Sequence, residues 1–142
     1  MPEISFYILS SDSLPERDLF ACKLLEKVYR SGNFGYVLVD DSQQSNHMDA
    51  LLWTFRPGSF IPHQLYIGEQ PNPTDKILIG MLPAPTPWQQ TVINLSANCP
   101  ANFADCGRIL EILDNSEAAK TLGRARYRHY QQAGLDITTH KM

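Results

Sequence analysis

Four short runs, ISFYIL (4–9), YVLVD (36–40), KILIG (76–80) and TVINLS (91–96), are dense in β-branched, aromatic and aliphatic residues. Runs of this length and composition, bounded by turn formers, read as strands buried on both faces. Helical patterns separate them. Ser13 with Glu16 three residues on forms a capping box, Phe20, Leu24, Leu25 and Val28 follow at helical spacing, and Gly32 stops the helix. A second helix is expected from Ser42 to Trp53, with Met48, Leu51 and Leu52 on its apolar side. RILEIL (108–113) alternates, which suits either a fifth strand or the start of a helix, and Ser116 to about Ala133 reads as helix, stopped by Gly134. The tail LDITTHKM is expected to be extended or loose. Strand, helix, strand, helix and further strands imply right-handed βαβ crossovers and a mainly parallel sheet covered on both faces. The expected fold is a three-layer α/β/α sandwich of Rossmann-like or P-loop-like topology.

At 142 residues the chain reads as one domain, 1–142, and 43% hydrophobic with 19% charged residues argues against disorder. No apolar run approaches the ~20 residues that a membrane span requires. MPEISFYILSSD lacks the basic start of a signal peptide, so a cytoplasmic protein is expected. Cys22, Cys99 and Cys106 form no CxxC pair and read as free thiols, mostly buried.

An α/β sheet of this kind often holds a nucleotide, yet the first strand-to-helix turn, SSDSLPE, contains no glycine. Neither GxGxxG nor GxxxxGK[ST] occurs, and SGNFGY (31–36) lies at a helix-to-strand junction, the wrong end of the sheet for such a ligand. Asp40 and Asp41 precede a helix and read as capping residues. His47, His63, His129 and His140 have no metal-ligand spacing, and no GxSxG elbow is present. No cofactor, metal or catalytic residue is assigned.

The net charge of −3 hides an asymmetry: residues 120–142 carry Lys120, Arg124, Arg126, Arg128 and Lys141 against Asp136, a local +4 that leaves −7 on the rest. A basic end on an acidic body points to an anionic partner, nucleic acid or an acidic peptide. At 100° per residue, Lys120, Arg124, Tyr127, Arg128 and Gln131 share one arc of about 100°. Ala118, Leu122, Ala125 and Ala133 lie toward the other side and are expected to pack on the sheet. Tyr127 between two guanidinium groups offers an aromatic wall beside bidentate carboxylate donors. Such a cleft suits a peptide with an aromatic residue and a terminal carboxylate, or single-stranded nucleic acid.

FYIL (6–9), WTFRPGSFIPHQL (53–65), GEQP (68–71), VINLS (92–96) and RARYRHYQQAGLDITTH (124–140) occur in this order across nearly the whole chain. Together they resemble the chi subunit family of bacterial DNA polymerase III, whose pattern W-x-x-x-x-x-S-F-x-P-H is similar to residues 53–63. The resemblance implies an α/β/α fold without a phosphate loop, and an accessory subunit rather than an enzyme. It implies two partners: the small psi subunit, which links chi to the clamp loader, and the acidic C-terminal tail of single-stranded-DNA-binding protein. By resemblance, the tail site falls on Lys120, Arg124, Tyr127, Arg128 and Thr139, and psi docking falls on Trp53, Pro57 and Phe60. In some relatives a helicase-like repair protein takes the place of psi. Arg56 and His63 read as structural. Two other readings remain at the level of sequence: a direct single-stranded DNA binder using the basic helix, and a degenerate nucleotide-binding enzyme.

Overall fold

A computed structural model describes residues 2–142. Its elements in chain order are β1 (Glu3–Ile8), α1 (Leu14–Arg30), β2 (Gly35–Leu38), α2 (Ser42–Thr54), β3 (His63–Tyr66), β4 (Ile77–Gly80), β5 (Thr91–Asn94), β6 (Arg108–Leu113), α3 (Glu117–Gln132) and β7 (Ile137–Lys141). Among the described residues the strands form one sheet in the order β3-β4-β2-β5-β6-β1-β7, with every neighbouring pair parallel. The expected α/β class with a parallel sheet is what the chain adopts.

The buried runs behave as their composition requires, since β2, β4 and β5 are buried at every residue. Side chains on one face of the sheet, including Val37, Ile77, Ile79, Ile93, Leu110 and Ile112, pack under Ala21, Cys22 and Leu25 of α1 and Met48 and Leu52 of α2. The opposite face carries Ile4, Phe6, Tyr36, Leu78, Val92, Ile109 and Leu113. It is covered by Tyr130 of α3 and by irregular chain that contributes Ala84, Trp88 and Cys106. The proline-rich segment before β5 is therefore a structural lid, fastened by the Trp88 indole N–H donating to Asp75 O at 3.0 Å.

The helix ends follow local chemistry. Ser13, Asp41 and Ser116 are N-caps that accept from the backbone N–H of Glu16, Gln44 and Ala119. The first capping box is only half formed, because the Ser13 N–H donates to Ser11 Oγ at 3.0 Å and not to Glu16. Gly32 and Gly134, at φ of 83° and 81°, follow α1 and α3 in the left-handed region.

Three sequence expectations need correction or completion. RILEIL is a strand; its alternation arises because Glu111, fully buried, faces a buried arginine instead of water. HQLY and the tail ITTHK are the two edge strands β3 and β7, which carry too little apolar character to be recognised as buried strands. Ala118, Leu122, Ala125 and Ala133 do not pack on the sheet: all four are exposed, Leu122 at 47%. The inner face of α3 is instead Gly123, Arg126 and Tyr130. A buried ionic pair has taken the core-facing position, and apolar periodicity cannot register it.

Candidate functional site

The basic stripe of α3 and the sheet beneath it enclose a cleft of about 610 Å³ lined by Lys120, Arg124, Tyr127, Arg128 and Thr139, the five residues that resemblance marked for tail binding. Its floor is apolar. Phe6 of β1 and Leu113 of β6 lie under α3, and the Phe6 ring sits 5.5 Å from the Tyr127 ring, centroid to centroid. Gly123 makes the close approach of helix and sheet possible, because a Cβ there would stand 2.5 Å from Leu113 Cδ1. Parallel pairing of β7 with β1 sets Thr139 opposite Phe6 and so brings the C-terminal strand to the rim. Ile8, Leu9 and Met142 extend the cleft toward the carboxyl ends of β1 and β7.

The electrostatics are one-sided. Lys120, Arg124, Arg128 and Lys141 line the cleft, and among the described residues no acidic side chain does. Lys120 reaches Glu117 at 3.6 Å, an exposed i,i+3 pair. Among the described residues no carboxylate lies within salt-bridge distance of Arg124, Arg128 or Lys141. Free guanidinium donors above an apolar floor suit a ligand that ends in a carboxylate next to a large apolar group.

Arg126, in the same run of basic residues, belongs to the core. Its Nε donates to Glu111 Oε1 at 2.9 Å and its second nitrogen donates to Ala97 O at 3.1 Å. The other Glu111 oxygen accepts from Tyr130 Oη at 2.6 Å and Asn94 Nδ2 at 2.9 Å. Burial pushes the Glu111 carboxyl upward, against the pull of Arg126, Tyr130 and Asn94. This network fixes the azimuth of α3 and so aims Arg124 and Tyr127 at the cleft.

A second surface lies across the molecule at the end of α2. Trp53 and Phe60 are 51% and 76% exposed, and Pro57 is exposed between them. Their polar neighbours are structural, as expected. Glu26 of α1 accepts from Ser59 Oγ at 2.7 Å and meets Arg56 at 3.1 Å. The hydrogen bond from Ser59, with the guanidinium groups of Arg56 and Arg30, holds the Glu26 carboxyl below its usual value despite burial. His63 is buried, with Nδ1 2.7 Å from Ile61 O and Nε2 3.0 Å from Asp49 Oδ1. Its ring lies 4.5 Å from the Trp53 indole. Leu65 and Ile67, exposed on and after the edge strand β3, continue the apolar surface.

A third concavity, of about 410 Å³, occupies the carboxyl ends of the central strands, where α/β sheets hold nucleotides. Asp12, Asp40 and Asp114 line it, and its two arginines are engaged: Arg17 with Asp18 at 2.9 Å and Arg126 with Glu111. Among the described residues no cluster of three or more His, Cys, Asp or Glu side chains is arranged to hold a metal ion, and no helix is long and apolar enough to cross a membrane.

Sequence reasoning placed the pocket wall near Leu113 but did not name Phe6, Gly123 or Lys141 as parts of the cleft. One signal pointed toward Gly123, and another toward the buried Arg126 that turns α3 over the cleft. A glycine inside a helix is unfavourable unless something approaches closely, and a glutamate inside an apolar strand requires a buried partner.

The sequence model of the family described as DNA polymerase III chi subunit, HolC, matches residues 1–138. A protein of Pseudomonas aeruginosa named DNA polymerase III subunit chi is 28% identical over 142 residues, covering 100% of this chain and 98% of that protein. Proteins of the same name from Escherichia coli K12 and Haemophilus influenzae are 26% and 25% identical, covering 98% and 94% of this chain and 97% and 93% of their own. Among solved structures, T4 UvsW aligns with a TM-score of 0.64 at 9% identity, over 99% of this chain and 41% of that longer one, a likeness of fold.

Proposed function

Because this chain belongs to the DNA polymerase III chi subunit family, we propose that it serves that polymerase as a non-catalytic adaptor with two docking surfaces. The cleft under α3 takes the acidic C-terminal tail of single-stranded-DNA-binding protein. The ledge of Trp53, Pro57 and Phe60 takes psi, which connects the subunit to the clamp loader, or a helicase-like protein in its place.

The observation that carries this reading is the convergence of Lys120, Arg124, Tyr127, Arg128 and Thr139 on one acid-free cleft with an apolar floor. A terminal carboxylate pairs with Arg124 beside Arg128, the last side chain rests against Tyr127 above the apolar floor, and upstream acids run past Lys120. The ledge supports the second surface: an aromatic pair held outward by a buried polar frame has the character of an interface anchor. An adaptor role agrees with a first strand-to-helix turn that lacks a phosphate cradle. It also agrees with thiols made unreactive by burial, which raises Cys22 to about 12 and Cys106 to about 11.

Titrating the protein with an acidic peptide ending in a free phenylalanine carboxylate, with its C-terminally amidated form and with a bare single-stranded oligonucleotide tests the reading. The free acid is expected to bind, the amide to bind poorly and the oligonucleotide to bind weakly. Equal binding of the two peptide forms, or tighter binding of the oligonucleotide, overturns it.

A further inference from the structure

The cleft has one wall made of backbone. Among the described residues β7 is the last strand of the sheet and pairs with β1 alone. Its bonding parity is fixed by the bonds at its two ends: Ile4 N–H donates to Asp136 O at 3.3 Å, and Met142 N–H donates to Ile8 O at 2.9 Å. In a parallel ladder, alternate residues of one strand bond to the same neighbour. Residues 136, 138, 140 and 142 therefore face β1, and the peptide groups of Ile137, Thr139 and Lys141 face the open edge.

Side chains follow the same parity. His140 stacks on Tyr7 at 4.8 Å, centroid to centroid, on the face of β1 opposite to Phe6. Thr139 and Lys141 line the cleft with Phe6. The two residues whose side chains enter the site thus also present a free N–H and C=O at its rim.

We propose that a peptide held in this cleft adds to the sheet as a short extra strand, exchanging backbone hydrogen bonds with Thr139 and Lys141. The inference rests on the tail-docking reading and deepens it, because it gives the tail a backbone partner as well as charged ones. Charge sets the direction. Asp136 stands before the start of β7, whereas Lys141 and Lys120 line the cleft. An acidic tail with its terminal residue beside Thr139 and Arg124 keeps its upstream acids near Lys141 and away from Asp136. It therefore runs antiparallel to β7. In an antiparallel pair both backbone bonds of an outward-facing residue go to one partner residue, so Thr139 and Lys141 contact peptide residues two apart. β-Augmentation of this kind draws affinity from the main chain and specificity from the neighbouring pockets.

The test compares proline with alanine at two positions. The N–H groups of Thr139 and Lys141 take no part in the pairing with β1, so proline there removes only an outward donor, as edge strands tolerate. The probe is the acidic peptide ending in a free phenylalanine carboxylate. Thr139→Pro and Lys141→Pro are expected to bind it about five-fold more weakly than Thr139→Ala and Lys141→Ala. In the wild-type protein, the Thr139 and Lys141 amides are expected to gain hydrogen-exchange protection when the peptide is added. Single N-methylation along the peptide is expected to weaken binding at every second residue. The exchange measurement decides alone if a proline variant fails to fold. If the peptide binds in an Arg124-dependent manner while both amides exchange as fast as before, the added strand is overturned and the tail reading stands. If the peptide does not bind the wild-type protein, both fall.

Discussion

Arg124 and Arg126 lie two residues apart in one helix and have opposite fates, because at 100° per residue the second turns under the helix while the first stays at the cleft. Arg126→Ala leaves the buried Glu111 without its cation. It is expected to cost about 3–5 kcal/mol of stability, measurable by denaturant titration. Arg124→Ala removes an exposed, unpaired guanidinium. Its melting point is expected to stay close to wild type, while binding of the free-acid peptide weakens by about 1.5–3 kcal/mol, more than ten-fold. Arg124→Lys is expected to recover only part of that affinity, since an ammonium cannot offer the bidentate fork. Gly123→Ala acts on the same site through shape: its Cβ would stand 2.5 Å from Leu113 Cδ1, so that side chain, which lines the cleft, has to shift. Alanine also favours the helix by up to about 1 kcal/mol. Calorimetry is therefore expected to show lost peptide binding with little lost stability.

At the scale of elements, the turn from α2 to β3 separates its two duties cleanly. Glu26, Ser59, Arg56 and His63 hold the backbone, and Trp53, Pro57 and Phe60 are left exposed. Trp53→Ala or Phe60→Ala is expected to leave the melting point and acidic-peptide binding nearly unchanged. Capture of psi, or of the protein that replaces it, is expected to weaken by ~2 kcal/mol or more. Unfolding of both variants would make these residues core and remove the docking role. The frame of this turn is also sensitive to pH. The folded-state Glu26 carboxyl lies below the ordinary 4.5, first because Ser59 donates to it and then because Arg56 and Arg30 face it. A depressed carboxyl stabilises the folded state fully above its unfolded value and loses that contribution as pH falls through the folded one. Amide protection factors across residues 55–60, which compare each exchange rate with the intrinsic rate at the same pH, are expected to be constant from neutral pH down to the usual glutamate range and to fall below it.

For the whole molecule, the sheet supports sites at places that differ in chemistry. The crevice where related architectures hold nucleotides is lined by Asp12, Asp40 and Asp114 and has both of its arginines engaged. Three carboxylates without a free cation oppose a polyphosphate. Thermal melts with ATP or GTP and magnesium are expected to show no rise in midpoint, and a clear rise would restore the nucleotide-binding reading. Four cations, Lys120, Arg124, Arg128 and Lys141, gather instead in the cleft under α3 at the β7 edge, and residues 1–119 carry a net −7. Acidic ligands are therefore drawn to one side, and rising salt is expected to weaken their binding through the exposed Lys120 and Arg128 contacts.

What the sequence determined by itself is what local chemistry encodes. Uniformly apolar runs required central parallel strands, Ser13, Asp41 and Ser116 placed helix starts, and Gly32 and Gly134 placed helix ends. Helical spacing alone grouped Lys120, Arg124, Tyr127 and Arg128 on one face of α3, whereas Thr139 and the ledge of Trp53, Pro57 and Phe60 came only from the motifs that carry the family resemblance. The tertiary structure decided everything that depends on convergence from distant segments. The inner face of α3 was invisible to apolar periodicity, because an ionic pair between Arg126 and Glu111, fifteen positions apart, occupies it. The edge strands HQLY and ITTHK have few buried side chains, so only pairing with β4 and β1 defines them. The cleft joins Phe6, Leu113, Gly123 and Thr139 from β1, β6, α3 and β7. No spacing within a chain records such a meeting; it exists only once the sheet has brought the strands together.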